Sequence, residues 1–392
     1  MTVKRVFAGL VAVLLLLAAT LQATGHGYIW RALRYTYLDG HRTAHIDDAR
    51  NFDQAVVSNT GPNAAKVQDW PIAQTLKPVS DETLAYLQTQ RSAAFLVAQH
   101  GRILSEQYFA PYDAHSRINV FSMAKTLTTV LTGAAVADGI LPSFDAPVSQ
   151  WLTEYANDPW GKQATLAQFS SMTSGHAWTE NYYLPLNETT ELYFGGHVAQ
   201  TVLRKGFERE PGSDYEYSSA SSQVLGVALS RALQAKDPNL TLATYLSQRL
   251  WQPLGMSGAA SWSLDRPRAQ GGMEMSYCCV HANARDMARI GQLLLQKGQW
   301  QGKPLLPAEF VSRITAPGPK VRYYGHGLWM DPDHKPAFYF LQGHLGQYVI
   351  VVPERELVIV RLGQTRIQKN TQHPKIYDEV YRYLDEGLRL AP

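Results

Sequence analysis

Ser122 and Lys125 stand three residues apart in Phe121-Ser-Met-Ala-Lys-Thr-Leu127. A serine hydroxyl is a weak nucleophile until a base takes its proton. An amine can be that base once desolvation or a nearby cation lowers its pKa from the free value of about 10.4. Residues i and i+3 share a helix face, so Lys125 reaches the Ser122 hydroxyl if a helix begins here. Val130, Leu131, Ala134, Ala135 and Val136 continue an apolar helical pattern, and Gly139 is its natural stop. A helix start also aims unsatisfied N–H groups and partial positive charge at whatever sits there. Alone, the pair reads more readily as an N-cap serine followed by a solvated lysine, so the weight falls on the rest of the chain.

The 392 residues are 45% hydrophobic and 18% charged, which suits a globular enzyme with a sizeable core. The net charge of +3, without a long Lys/Arg run, argues against nucleic acid as a partner. The two cysteines, Cys278 and Cys279, are adjacent. Two small buried thiols are expected there rather than a vicinal disulfide. No Cys/His array has zinc spacing, and neither metal nor organic cofactor is expected.

At the N-terminus Lys4 and Arg5 precede the apolar run Val6 to Leu21. Tyr28, Trp30, Tyr35 and Tyr37 follow, interleaved with Arg31 and Arg34, as an interfacial belt would be. Residues 1–25 therefore read as a signal peptide or membrane anchor. An uncleaved anchor is slightly favoured, because Ala23-Thr-Gly25 is a poor cleavage site. The early positive charges place the body on the exported, periplasmic side, with membrane contact through this segment. Residues 26–84 read as a linker or wrapping arm, and 85–390 as the folded domain.

Several elements must position the serine. Ser92 to Ala98 and Ile103 to Phe109 read as strands joined by a tight turn. Asp145 to Leu152 and Ala164 to Met172 read as short helices. Glu180 to Gly196 reads as a loop, with Trp178, Tyr182 and Tyr183 as candidates for a cleft mouth and His176 as structural. Ser219 to Leu233 and Arg285 to Gln296 have helical periodicity. Tyr348 to Val352 and Leu357 to Arg361 form a second strand pair, and a last helix is expected from Pro374. Strands thus cluster at both ends of the domain with helices between them. The fold class is α+β: an antiparallel sheet from both ends, flanked by helices, with a mostly helical insert and a cleft between them.

Ser122-Met-Ala-Lys125, Tyr217-Ser-Ser219 and His344-Leu-Gly346 occur in the order of the three motifs of the serine β-lactamase and penicillin-binding-protein superfamily. Thr165-Leu through Ser171-Met-Thr-Ser-Gly175 resembles a segment of its class C-like members, as does Pro211-Gly through Leu225-Gly226. Ala284-Arg-Asp-Met-Ala-Arg-Ile-Gly-Gln-Leu293 is similar to the branch of 6-aminohexanoate-dimer hydrolases and related esterases. The resemblance implies that Ser122 is acylated, that Lys125 takes its proton, and that Tyr217 is a phenolate or proton relay. It also implies that His344 edges the cleft on a strand and that Gly346 lets that strand approach substrate. The N–H groups of Ser122 and Gln347 would then form an oxyanion hole. Ser219 replaces an asparagine, so a hydroxyl stands in for an amide contact to substrate; Leu345 replaces a small hydroxyl residue and His344 a fixed cation, so recognition of a β-lactam carboxylate is weakened. The expected partner is a small-molecule amide or ester. The alternatives are a D-amino-acid peptidase or weak β-lactamase, and a non-catalytic penicillin-binding-like sensor or binding module.

Overall fold

The computed structural model describes residues 2–65, 70–182 and 184–391. The helices used below are α1 (Thr2–Ala23), α2 (Tyr28–Tyr35), α3 (Asp81–Thr89), α4 (Met123–Ala137), α5 (Glu188–Phe194), α6 (Ser219–Lys236), α7 (Ala284–Leu295) and α8 (Asp378–Leu390). The main sheet contains β1 (Ser92–Gln99), β2 (Arg102–Tyr108), β3 (Trp329–Asp331), β4 (Phe338–Gly343), β5 (Gln347–Val352) and β6 (Leu357–Gly363). Its spatial order is β2-β1-β6-β5-β4-β3, antiparallel throughout. The two chain regions expected to supply strands meet where β1 pairs with β6, with Val97 opposite Ile359.

Side chains alternate across this sheet with the period of two that strands impose. Ala94, Leu96, Val349, Val351, Val358 and Val360 join the core under α7 and the helical insert. Phe95, Val97, Ile350, Val352 and Ile359 join a second core with Val380, Tyr383 and Leu384 of α8. Both faces are covered, which is why these strands read as nearly continuous apolar runs. Gly291 of α7 sits close against Val349 and Val358, a contact that leaves little room for a Cβ.

The insert is organised around α4, buried over almost its whole length. Its threonine hydroxyls are satisfied inside the core: Thr126 donates to the Gly327 carbonyl at 2.5 Å and Thr128 to that of Ser276 at 2.8 Å. The helix ends at Ala137, and Gly139 follows at φ +70 as the expected stop.

Four local expectations differ from the structure. Only the 3₁₀ turn Val148–Gln150 and the short helix Leu166–Ser170 form in the first helical set; the helix is held by a capping box at Thr165. The stretch 180–196 contains α5, because the Asn187 side chain accepts from the Thr190 N–H at 2.9 Å and caps it. The last helix begins at Asp378 rather than Pro374, since residues 373–376 close a small bridge first. Cys278 and Cys279 are joined as a vicinal disulfide, not two thiols. Cys278 closes a tight turn onto the Met275 carbonyl and Cys279 follows at φ +73, backbone geometry that composition does not reveal.

Described parts of 26–84 lie against the body. Asp53–Val57 pairs antiparallel with Ala260–Leu264 in a second, four-stranded sheet. α2 packs against α5, and the Tyr28 hydroxyl donates to the Asn187 carbonyl at 3.3 Å. Before it, α1 is a long apolar helix with 19 residues, Arg5–Ala23, exposed.

Candidate active site

The chain approaches the serine through Phe121, a non-glycine residue held at φ +47. Such a left-handed conformation costs energy and persists only where its surroundings impose it. Here the Asn119 side chain accepts from the Phe121 N–H at 2.9 Å, and the ring packs edge-on against His344 at 5.5 Å. Ser122 therefore sits at the N-cap of α4, and its own N–H makes no hydrogen bond among the described residues.

One turn on, Lys125 is buried, with 2% of its surface exposed. This decides against the solvated-lysine reading of the pair. Its Nζ lies 3.0 Å from Ser122 Oγ, 3.2 Å from Ser219 Oγ and 2.9 Å from the Tyr277 carbonyl. Burial lowers its pKa to about 8, against an opposing pull from Glu180. The partners fix how the neutral amine points. The Tyr277 carbonyl can only accept. Ser219 Oγ must accept too, since its O–H donates to Glu180 Oε1 at 2.5 Å. Two N–H bonds of an uncharged Lys125 are thereby committed, and its lone pair faces the Ser122 hydroxyl. That is the orientation of a general base.

Tyr217 lies just before α6, and its phenol is a hydrogen-bond partner of Ser122. Lys125 Nζ sits over its ring at 5.1 Å. Burial raises the Tyr217 pKa, outweighing the Ser122 hydrogen bond and Arg366. Tyr217 is therefore a neutral phenol at ordinary pH, which leaves the relay and removes the phenolate from the two expectations. Ser219 opens α6 and lines the cavity; its O–H is given to Glu180 and one lone pair to Lys125, which leaves its second lone pair as the remaining acceptor.

His344, Leu345 and Gly346 are the turn between β4 and β5 and not part of a strand. His344 faces the cavity; its ring stacks on Tyr182 at 5.7 Å, and its Nε2 has no hydrogen-bond partner among the described residues. Burial, with Arg366 second, lowers its pKa to about 3, so it is no fixed cation. Gly346, at φ +83, does not face the cavity. A Cβ there would meet Arg361, Arg366 and Glu379, so its glycine serves the turn and the packing beneath it. Gln347 is buried, and its amide ties the turn to the Gly363 backbone: Nε2 donates to the carbonyl at 2.6 Å and Oε1 accepts from the N–H at 2.9 Å. Its place opposite Gly343 brings it beside the serine loop, because Gly343 touches the Val120 carbonyl.

Glu180 is the participant the sequence reading missed. Its carboxylate accepts from the Ser219 N–H at 2.8 Å, from the Ser219 hydroxyl, from Trp178 Nε1 at 2.9 Å and from the Tyr182 hydroxyl. The available signal was a single acidic residue in the otherwise uncharged stretch from Ala177 to Asn187. Trp178 is buried as its donor, Tyr182 lines the cavity, and Tyr183 lies outside the described residues. His176 is structural as expected, its Nε2 within 3.0 Å of the Tyr155 hydroxyl.

The cavity that holds Ser122 has a volume of about 280 Å³. Its walls include Ser219, Tyr277, Cys278 and His344, and also Ala32, Leu33, Thr36 and Tyr37 from the N-terminal arm. A larger depression, about 620 Å³, lies among Glu82, Tyr86, Asp378 and Arg382 and contains none of these groups, so the smaller cavity is the site. Asp39, His41 and His45 bring donor atoms within 4.8 Å of one another, but Arg50 already donates to both oxygens of Asp39. We assign no metal to them.

A nucleophile, a buried amine and a phenol around one cavity, beside an antiparallel sheet and a helical insert, define a serine hydrolase architecture. The Beta-lactamase family model matches residues 81–378, and the chain belongs to that family. It is similar to the 6-aminohexanoate-dimer hydrolase of Paenarthrobacter ureafaciens, 26% identical over 300 residues, covering 69% of this chain and 72% of that one. It is also similar to a Beta-lactamase of Escherichia coli (strain K12), 24% identical over 334 residues, covering 70% of this chain and 81% of that protein. Among solved structures, a Bacillus anthracis protein provisionally described as a 6-aminohexanoate-dimer hydrolase superposes with a TM-score of 0.71 at 20% identity, covering 93% of each chain. The chain is a hydrolase of the serine β-lactamase type.

Proposed function

We propose that this chain is an exported, membrane-anchored amidase or esterase that works through an acyl-enzyme on Ser122. The observation that carries this reading is Lys125 Nζ 3.0 Å from Ser122 Oγ, in a buried setting that lowers the pKa of the amine to about 8 and so brings its uncharged form within reach near neutral pH. Ser122 Oγ attacks the carbonyl carbon as its proton passes to Lys125. The oxyanion forms against the unpartnered Ser122 N–H and, by the family resemblance, the Gln347 N–H, each donor contributing roughly 3 kcal/mol. The proton returns to the leaving amine or alcohol through the neutral Tyr217 hydroxyl, and water then cleaves the acyl-enzyme by the reverse path. Peptidase or β-lactamase action needs a cation for the substrate carboxylate. Neutral His344 does not supply it, and Arg366 is engaged over the Tyr377 ring at 4.4 Å. A pure binding module has no use for a desolvated lysine aimed at a serine.

Treatment with a fluorophosphonate, read by intact mass and labelled peptide, tests this. A single adduct on Ser122, lost in Ser122→Ala and strongly slowed in Lys125→Ala and Tyr217→Phe, is expected. A folded wild-type protein that takes no adduct refutes the acyl-enzyme reading.

A further inference from the structure

The cavity is walled on one side by the segment that emerges from the apolar N-terminal helix. Four residues separate the end of α1 from the start of α2, and Ala32, Leu33 and Thr36 line the same cavity as Ser122. At 1.5 Å per residue these positions lie on the order of 6–12 Å along α2 and its end. Leu184, Pro185 and, from α5, Thr189 and Thr190 line the same cavity, and α2 is tied to the residue before α5 by the Tyr28 hydroxyl on the Asn187 carbonyl. The membrane-type helix therefore ends beside the cavity mouth.

That mouth is apolar and uncovered. Leu184 is 57% exposed, Leu33 37% and Tyr37 64%, and the flanking Leu38 and Leu186 are exposed as well. A cluster of large apolar side chains at one opening marks a surface that meets something other than water. An uncleaved α1 makes that something the bilayer. Trp30, Arg31 and Arg34 on α2 are residue types that settle at a membrane interface.

We propose that the substrate is a bilayer-resident amphiphile, a long-chain acyl ester or amide, whose acyl chain enters between α2 and the 184–190 segment to present its carbonyl to Ser122. This rests on the acyl-enzyme reading above and names its substrate class. The chemistry balances without a further reactant: Ser122 Oγ bonds the acyl carbon and the carbonyl–oxygen or carbonyl–nitrogen bond breaks. The headgroup leaves carrying the serine proton, and water releases the fatty acid. The apolar walls hold the chain, and α1 keeps the mouth at the depth where such chains lie.

The test uses the full chain reconstituted in phosphatidylcholine–phosphatidylglycerol vesicles, with p-nitrophenyl esters from acetyl to dodecanoyl. Each methylene that enters the groove is expected to raise kcat/KM about fourfold until the groove is full. Leu184→Asp and Leu33→Asp are expected to flatten that series; both side chains are exposed, and an unchanged thermal unfolding transition shows that the variants fold. Acetyl ester hydrolysis with a flat or falling series overturns this inference and leaves the serine hydrolase intact. A rising series that neither variant flattens overturns it too, because the chain then binds elsewhere. Hydrolysis of no ester, with no adduct on Ser122, instead sinks the acyl-enzyme reading. A start near residue 26 in the protein isolated from its cells removes the anchor and with it the bilayer substrate.

Discussion

Replacing Glu180 by glutamine keeps the shape of the site and removes its one carboxylate. The Glu180 charge reaches Lys125 through Ser219, over hydrogen bonds of 2.5 and 3.2 Å that laid end to end span about 6 Å. At an effective dielectric of about 20, opposite unit charges at that separation attract by about 3 kcal/mol, or about two pH units. Glu180 is partly exposed, and screening reduces this to about one unit or somewhat more. The sign is definite: Glu180 favours the ammonium, so its loss lowers the pKa of Lys125. The rate of fluorophosphonate inactivation against pH reads the fraction of Lys125 able to accept the Ser122 proton. Its acid limb is expected near pH 8 in the native protein and about one to two units lower in Glu180→Gln. The plateau should also fall by about tenfold, because the amide cannot accept all four donors that converge on the carboxylate. Mere loosening of the loop lowers the plateau without moving the limb. A limb that stays near pH 8, or moves upward, refutes the electrostatic link between Glu180 and Lys125.

Lys125→Met should change how stability depends on pH. Lys125 has a folded pKa of about 8 against 10.5 for the ordinary side chain. Between those values the unfolded chain holds more protons, so this group's contribution to stability rises with pH there, by about 3 kcal/mol in total. Urea unfolding should give a Met-minus-native stability difference that shrinks by about that amount from pH 7 to pH 10; a constant difference contradicts the burial argument. Gly346→Ala should destabilise the fold by about 1–3 kcal/mol, through a positive φ and collision with Arg361. A loss of turnover without loss of stability would return Gly346 to the substrate side.

Much of the fold was legible because its signals are local. The apolar runs of β1, β5 and β6 stand out, since both faces of the sheet are covered. The periodicity of α4, α6 and α7 marked those helices within about a residue at their starts. Short elements failed where side chains rather than periodicity decide them: a single Asn187 cap makes α5 inside a stretch read as loop. The site divides along the same line. Ser122 and Lys125 lie on one turn of one helix, so spacing alone brings them together. Tyr217 joined them by motif order. Glu180 could not be placed, because its partners Trp178, Tyr182 and Ser219 come from a loop and from another helix.

By itself the sequence determined the α+β class, the serine–lysine pair, the order of the three motifs and the apolar N-terminal helix. These depend on neighbours in the chain, where periodicity and spacing carry the physics. Only the tertiary structure decided the state of each group. Lys125 is desolvated because α4 is swallowed by the insert, while Tyr217 stays a phenol because burial outweighs its polar neighbours. The Ser219 hydroxyl is oriented by Glu180, and Gly346 turns inward to Arg361. The N-terminal arm becomes a wall of the cavity because α2 docks on α5, 159 residues separating Tyr28 from Asn187. Burial and long-range contact set these properties, and neither is written in any single segment.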